Sequence, residues 1–199
     1  MAARIFIWVG HPRSTSLSHA FADAYQAAAE AAGAEVRRMN LSDMNFDPDL
    51  TEGYHSRKTL EPCLEEWRET IMWANHLVWA YPQWWGGMPA KMKGVIDRSF
   101  LPGFAMAYRD DSAWWDRLLK GRSADIFMTS DAPVFFDALS YGRAAKRQVD
   151  KTVLNFSGVK PRKTFQFGPI KGTKQEKIDR WIAKAAARGT EMARKRASA

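Results

Sequence analysis

The stretch HLVWAYPQWWGGMPAKMKGVIDRSF, from His76 to Phe100, changes character twice. Its first seven residues are a nearly continuous apolar run that stops at Pro82, the length and pattern of a strand buried on both faces. Two tryptophans and two glycines follow, then apolar residues return at helical spacing. A doubly buried strand, a ring-rich loop and a helix, in that order, describe one step of a parallel sheet whose strands are linked by helical crossovers.

The rest of the chain repeats that step. Ala3 to Gly10 (ARIFIWVG) is a second continuous apolar run, followed by Leu17, Ala20, Phe21, Ala24, Ala27, Ala28 and Ala31 at helical spacing, with Gly33 as the stop. AEVRRMNL is a more polar strand, suited to a place near an edge. A loop marked by Asp47, Pro48 and Gly53 leads to a helix from about Pro62 to Ala74. After His76 to Pro82 come a strand at Ser123 to Ser130, a helical pattern from about Gly142 to Phe156, the strand KTFQFG, and a last helix opened by Thr173. Alternating strands and helices predict an α/β, doubly wound, flavodoxin-like sheet of five parallel strands in the order 2-1-3-4-5, helices on both faces. One domain, residues 1–199, is expected, without internal repeats.

Composition narrows the function classes. The chain has 199 residues, 46% hydrophobic and 26% charged, enough for a substantial core. No apolar run reaches the ~20 residues of a membrane span, and Ile5 to Val9 is too short for a signal-peptide core, so a cytoplasmic protein is expected. The single cysteine, Cys63, has no intramolecular partner and reads as a packing residue in a reducing compartment. The net charge of +8 is concentrated toward Lys171 to Arg196, where it fits a solvated helix face. No zinc-finger spacing or RNA-recognition signature accompanies it, so nucleic-acid binding is not expected, and no metal site is expected.

In such sheets ligands sit beyond the carboxyl ends of the strands, where strand order reverses. The loop after the first strand, GHPRSTSLSHAF, places His11, Arg13, Ser14, Thr15, Ser16 and Ser18 at a helix start. Unpaired amide groups and a partial positive charge there suit a phosphate. One serine alone would be read as a helix cap; four hydroxyls flanked by His and Arg favour phosphate. Neither G-x-G-x-x-G nor a Walker pattern is present, which disfavours a Rossmann dinucleotide site and a nucleoside triphosphatase. After the third strand, Gln83, Trp84, Trp85, Gly86 and Gly87 offer two indoles and, at the glycines, bare backbone whose amides are open to a planar ring. Together the loops fit an aromatic heterocycle with a phosphate tail.

YPQWWGGMPAKMKGVIDRSFLPGFAMAY, with HPRSTSLS after the first strand, resembles the NAD(P)H:quinone oxidoreductases, the DT-diaphorase-like flavoproteins and their bacterial relatives, over nearly the whole chain. The resemblance implies FAD or FMN as cofactor, NAD(P)H as electron donor, a quinone-type acceptor reduced by a ping-pong hydride transfer, and a homodimer with active sites at its interface. It makes His11, Ser16, Leu17 and Ser18 contacts to the flavin phosphate and ribityl chain, and Pro82, Gln83, Trp84, Trp85 and Gly86 the lining of the isoalloxazine. Phe104 and Tyr108 match aromatics presented across the interface to the substrate, with Tyr108 at the centre of an apolar patch formed by Phe104, Met106, Trp114 and Trp115. The third loop departs from the pattern. Where many members have T-T-G-G it has Thr129, Ser130, Asp131 and Ala132, followed by Pro133, Val134, Phe135 and Phe136. Thr129, Ser130 and Asp131 take the flavin-contact positions there, Phe135 is assigned to the substrate pocket, and Tyr141 is the nearest counterpart of the family's catalytic tyrosine. Two other roles share this fold: an ancillary flavoprotein of a potassium efflux transporter, and an electron-carrier flavodoxin, a family whose members tend to be acidic.

Overall fold

Strands form where apolar runs are continuous, and the sheet they make is parallel throughout. The computed structural model describes residues 2–51, 53, 55, 56 and 58–197. Strands β1 (Arg4–Val9), β2 (Glu35–Asn40), β3 (His76–Pro82), β6 (Ser123–Thr129) and β7 (Lys160–Phe167) pair in the order β2-β1-β3-β6-β7. Counting only the strands of this sheet, that is the expected 2-1-3-4-5 order. Every residue of β3 and β6 is buried, the polar His76, Ser123, Asp125 and Thr129 included, whereas β2 is half-exposed at the edge.

Because successive side chains on a strand point to opposite faces, β1 feeds two cores. Ile5, Ile7 and Val9 pack with Phe21 and Tyr25 of α1 (Leu17–Ala31) and Trp181 of α6 (Gln175–Ala197). Phe6 and Trp8 face the other way, toward Trp67 of α2 (Pro62–Trp73) and Val95 of α3 (Ala90–Ser99). There Trp8 meets Trp67 and Trp79 edge-on, with ring centroids 4.9 and 5.2 Å apart. At ~25 cal/mol per Å² and ~150–250 Å² per ring, each such indole contributes at most about 4–6 kcal/mol.

Two stretches fold otherwise than expected. The segment after α3 is not one long loop: β4 (Met106–Tyr108) and β5 (Trp115–Arg117) form an antiparallel hairpin. Its base tucks Phe104 and Met106 into the chain's own core, so the expected exposed patch is reduced to Tyr108 and Trp114, with Trp115 stacked on Phe156 at 4.2 Å. The helix expected over 142–156 is divided into α5 (Ala144–Arg147) and a π-helical segment, Gln148–Asn155, and a short helix that was not expected, α4 (Val134–Ser140), precedes it. Gly142 and Arg143 both adopt positive φ, which ends one helix before the next begins.

Candidate active site

At the carboxyl end of the sheet the second and third loops enclose a cleft of about 960 Å³, lined by Gln83, Trp84, Trp85 and Gly86 and by Ser130, Asp131 and Tyr141. Ala132 and Ala144 complete its wall. His11 joins the first loop to it, with its ring edge-on to Trp84 at 5.7 Å.

The double-tryptophan loop is a tight turn. Trp84 and Gly87 exchange both backbone hydrogen bonds, 2.9 and 3.0 Å, while Trp85 and Gly86 between them take φ of +50° and +75°. Positive φ at both central positions is the type I′ geometry. The Gly87 amide is therefore spent inside the turn, contrary to the expectation that both glycines offer theirs, and the amides left to a ligand are those of Trp85 and Gly86. Trp85 is fully exposed and Trp84 is 46% exposed, a costly arrangement for indoles in the absence of a partner.

At the first loop, Ser16 caps α1 from an extended backbone. Its Oγ accepts from the His19 amide and lies 2.9 Å from His19 Nδ1. This reciprocal pair resembles a capping box with histidine at the third helical position, a pattern visible in the sequence but not singled out there. His19 Nε2 is buried and has no partner among the described residues. His11 accepts a hydrogen bond at Nδ1 from the Arg13 amide at 3.0 Å, which places its own proton on Nε2 when neutral. Burial, then the nearby Arg13 charge, lower the pKa of His11, and burial followed by Arg38 does the same for His19. Both rings are thus neutral donors near pH 7. Ser14 and Thr15 are exposed, Leu17 is half-buried, and Ser18 is enclosed in the helix's first turn.

The third loop is tied down by residues the sequence did not single out. Asp137 of α4 is buried and accepts from Gln83 Nε2 at 3.1 Å and from Gln166 Nε2 at 3.0 Å, so one carboxylate clamps the ends of β3 and β7. Its partners lie far away in sequence, which leaves no local signature. The Ser130 amide donates to the Phe167 carbonyl and the Ser130 carbonyl accepts from Ile170. Gly168 is required there, since a Cβ would lie 2.5 Å from the Ala132 carbonyl oxygen. The Asp131 carboxylate accepts from the Lys171 amide at 3.1 Å. Pro82 and Thr129 are buried partners across β3 and β6, behind the cleft.

Three expected pocket residues lie apart from this cleft. Phe104 is buried and stacks on Phe100 at 6.0 Å beneath the Arg68 guanidinium, so it is a core residue of its own subunit. Tyr108 is exposed and borders a separate hollow of about 420 Å³ between α3 and the π-helical segment. Phe135 is exposed on α4 without lining the cleft. Half-buried Cys63 donates to the Asn45 carbonyl, in keeping with a packing role. Among the described residues no group of three potential metal ligands occurs, and no helix is long and apolar enough to cross a membrane.

An uncharacterized NAD(P)H oxidoreductase of Haemophilus influenzae is 31% identical over 123 residues, 60% of either chain. The FMN-dependent NADH:quinone oxidoreductase of Ruegeria pomeroyi is 28% identical over 138 residues, 61% of this chain and 67% of that one. The chain thus spans about 60% of the length of the first of these relatives. Among solved structures, Smu.1420 from Streptococcus mutans superposes with a TM-score of 0.82 at 28% identity, covering 94% of this chain and 99% of that one. Residues 3–189, which carry the whole parallel sheet and all three loops of the cleft, match the family defined by a flavodoxin-like fold, and the chain belongs to that family.

Proposed function

We propose that the chain is a flavin-dependent NAD(P)H:quinone oxidoreductase, and the observation that carries this reading is the type I′ turn that holds Trp84 and Trp85 exposed beside two amides the turn leaves unused. The residues present fit a flavin: a flat aromatic wall, unspent backbone donors at Trp85 and Gly86, and a buried, unpartnered His19 nitrogen beside a helix N-terminus. The names of the Haemophilus and Ruegeria relatives support the nicotinamide donor, and that of the Ruegeria protein supports FMN and a quinone acceptor.

When bound, the flavin supplies the hydride chemistry. The protein holds and polarises. The α1 N-terminus and the neutral imidazoles of His11 and His19 donate to phosphate, the Ser16 hydroxyl giving its hydrogen to His19 Nδ1 so that the His19 proton sits on Nε2. The Trp85 and Gly86 amides, not used within the turn, would hold the flavin ring and stabilise negative charge on it, in the manner of an oxyanion hole. Trp84 and Trp85 shield one side from water, and Asp137 keeps the Gln83 amide in place. Donor and acceptor occupy one cleft in turn, so ping-pong kinetics follow. The exposed Tyr108 and Trp114 of the β4-β5 hairpin suit the interface of a homodimer, in which Tyr108 meets the partner's acceptor.

The test is the visible spectrum of the purified protein, followed by release and mass measurement of the cofactor and by NAD(P)H oxidation with a quinone acceptor. A yellow protein carrying FMN, active with quinone, is expected. A colourless one whose tryptophan fluorescence is unchanged by micromolar FMN or FAD overturns the reading. Light scattering should report a dimer; a stable monomer fully active at nanomolar concentration would remove the shared site.

A further inference from the structure

At the opposite end of the sheet from the cleft, where β6 and β7 begin, lies a hollow of about 400 Å³ lined by Arg117, Lys120, Arg122, Lys160 and Arg162, with no acidic residue in its wall. Two stretches of chain, residues 117–122 and 155–162, converge to make it. Arg117 ends β5, Lys120 and Arg122 sit on the turn into β6, and Lys160 and Arg162 open β7. Among the described residues none of the five is in an ion pair. Asp116, beside Arg117 in sequence, is already bound to Arg109.

The hollow is built as well as charged. Arg122 donates from Nε to the Ile71 carbonyl and from Nη2 to the Met72 carbonyl, both at 2.8 Å, which fixes its guanidinium at the end of α2 without neutralising it. Arg117 donates from Nη1 to Asn155 Oδ1 at 3.4 Å, leaving the Asn155 amide nitrogen as a further donor at the wall. Gly158, at φ +98°, lets the turn before β7 close beneath these side chains: a Cβ there would lie 2.9 Å from Arg117 Cβ and 3.1 Å from the Lys120 backbone nitrogen. Basic residues on an edge strand also discourage pairing with other chains. Together with Pro161 and the bulge at Arg162, that accounts for the character of β7. It does not account for Arg117, Lys120 and Arg122, which lie on other elements and face the same hollow.

Like charges gathered in one concavity repel one another, and a compact anion with several oxygens relieves that repulsion. Guanidinium groups match phosphate oxygens in pairs, and the volume falls within the ~300–1,000 Å³ typical of small-molecule sites. We infer that this hollow binds a compact oligophosphate, either a free inorganic pyrophosphate or triphosphate or the phosphate chain of a nucleotide. The inference does not depend on the flavin reading of the cleft.

Calorimetric titration of the full chain with inorganic tripolyphosphate and with ATP tests it. One anion per chain is expected. The double substitution K160Q/R162Q removes two exposed charges that hold no ion pair; it should weaken binding at least about tenfold while leaving the melting temperature unchanged. Ser16→Ala, in the cleft, should leave this binding intact. Equal affinity for the two anions assigns recognition to the phosphates, and tighter ATP binding that is lost in K160Q/R162Q assigns a further contact to the nucleoside. The inference fails if neither anion binds, if K160Q/R162Q binds as tightly as the parent, or if Ser16→Ala abolishes binding. It also fails if single-stranded DNA or anionic vesicles bind through Lys160 and Arg162 while tripolyphosphate does not.

Discussion

Trp85 combines two features that each cost stability: a left-handed backbone, φ +50°, and a fully exposed indole. The backbone conformation costs an L-residue about 1–2 kcal/mol, whereas glycine adopts it freely but loses more entropy on folding. Trp85→Gly should therefore leave the apoprotein as stable as the parent or up to about 1 kcal/mol more stable. If the indole stacks on the ring as proposed, the same change should weaken flavin binding roughly two- to tenfold, the ~0.5–1.5 kcal/mol of an aromatic contact. Thermal melts and a fluorescence titration with FMN separate the two effects. A sharp drop in melting temperature with unchanged flavin affinity would make Trp85 a folding residue instead. Phe104 teaches the complementary lesson. Its place in GFAMAY suggested a pocket, yet a ring adjoining Phe100 has more apolar surface to gain in the core than in solvent.

At the scale of elements, the third loop depends on the short helix α4 and on Asp137 within it. One buried carboxylate accepts from two glutamine amides at the ends of β3 and β7, the strands on either side of β6. Asp137→Ala leaves Gln83 and Gln166 without their acceptor. A buried donor deprived of its partner costs ~1–3 kcal/mol, so a destabilisation of that size is expected in chemical denaturation. Gln83 would also lose its fixed orientation, and FMN affinity should fall with it, whereas Gln166→Ala should affect stability without a comparable loss of affinity. Equal effects of the two variants on FMN binding would mean that the clamp acts only on the fold. Elsewhere the hairpin of β4 and β5 shows why a stretch rich in aromatics is hard to place. Alternate residues of one short strand, Met106 and Tyr108, end up in the core and in solvent.

Across the whole molecule, α6 is docked on the sheet by a buried ionic brace. Arg188 donates from Nε and Nη2 to Asp125 at 2.7 and 2.9 Å, and His76 Nε2 faces the same carboxylate at 3.3 Å. Ser123, His76 and Asp125 stand in the order of a hydrolytic triad, but all three have zero exposure, so no substrate reaches them. Gly189 lets α6 approach α1, since a Cβ there would overlap the Tyr25 carbonyl. Burial pushes the Asp125 carboxyl up, but hydrogen bonds from His76 and Arg188 outweigh it and hold the group below the usual carboxylate range. A depressed pKa stabilises the fold above the unfolded value near 4, and that contribution is lost as pH falls through the folded value. Arg188→Met removes the main counter-charge, so a loss of about 3–5 kcal/mol is expected at pH 7. The gap to the parent should narrow as pH falls below about 4 toward the folded value, where the parent's Asp125 takes up its proton and the ion pair is lost. Denaturation at several pH values checks this; a gap that stays constant with pH would mean that Arg188 acts by packing alone.

The sheet is legible in the residues alone. Runs such as IFIWV and LVWA are apolar at every position, and only a strand covered on both faces buries all of them. Alternation with helical periods then leaves few topologies, and the strand order follows, as does the location of a cleft at the ends of β1, β3 and β6. These are properties of neighbouring residues, which share a segment before any folding occurs. Tertiary structure alone decided which side chains meet across segments. The clamp of Asp137 on Gln83 and Gln166 joins positions 54 and 29 residues apart and the brace of Asp125 and Arg188 positions 63 apart, and the burial of Phe104 and the convergence of five cations on one hollow likewise need segments that the fold brings together. Such contacts exist only once the sheet has brought distant segments together, because their energy depends on distance and desolvation, which a linear order of residues does not encode.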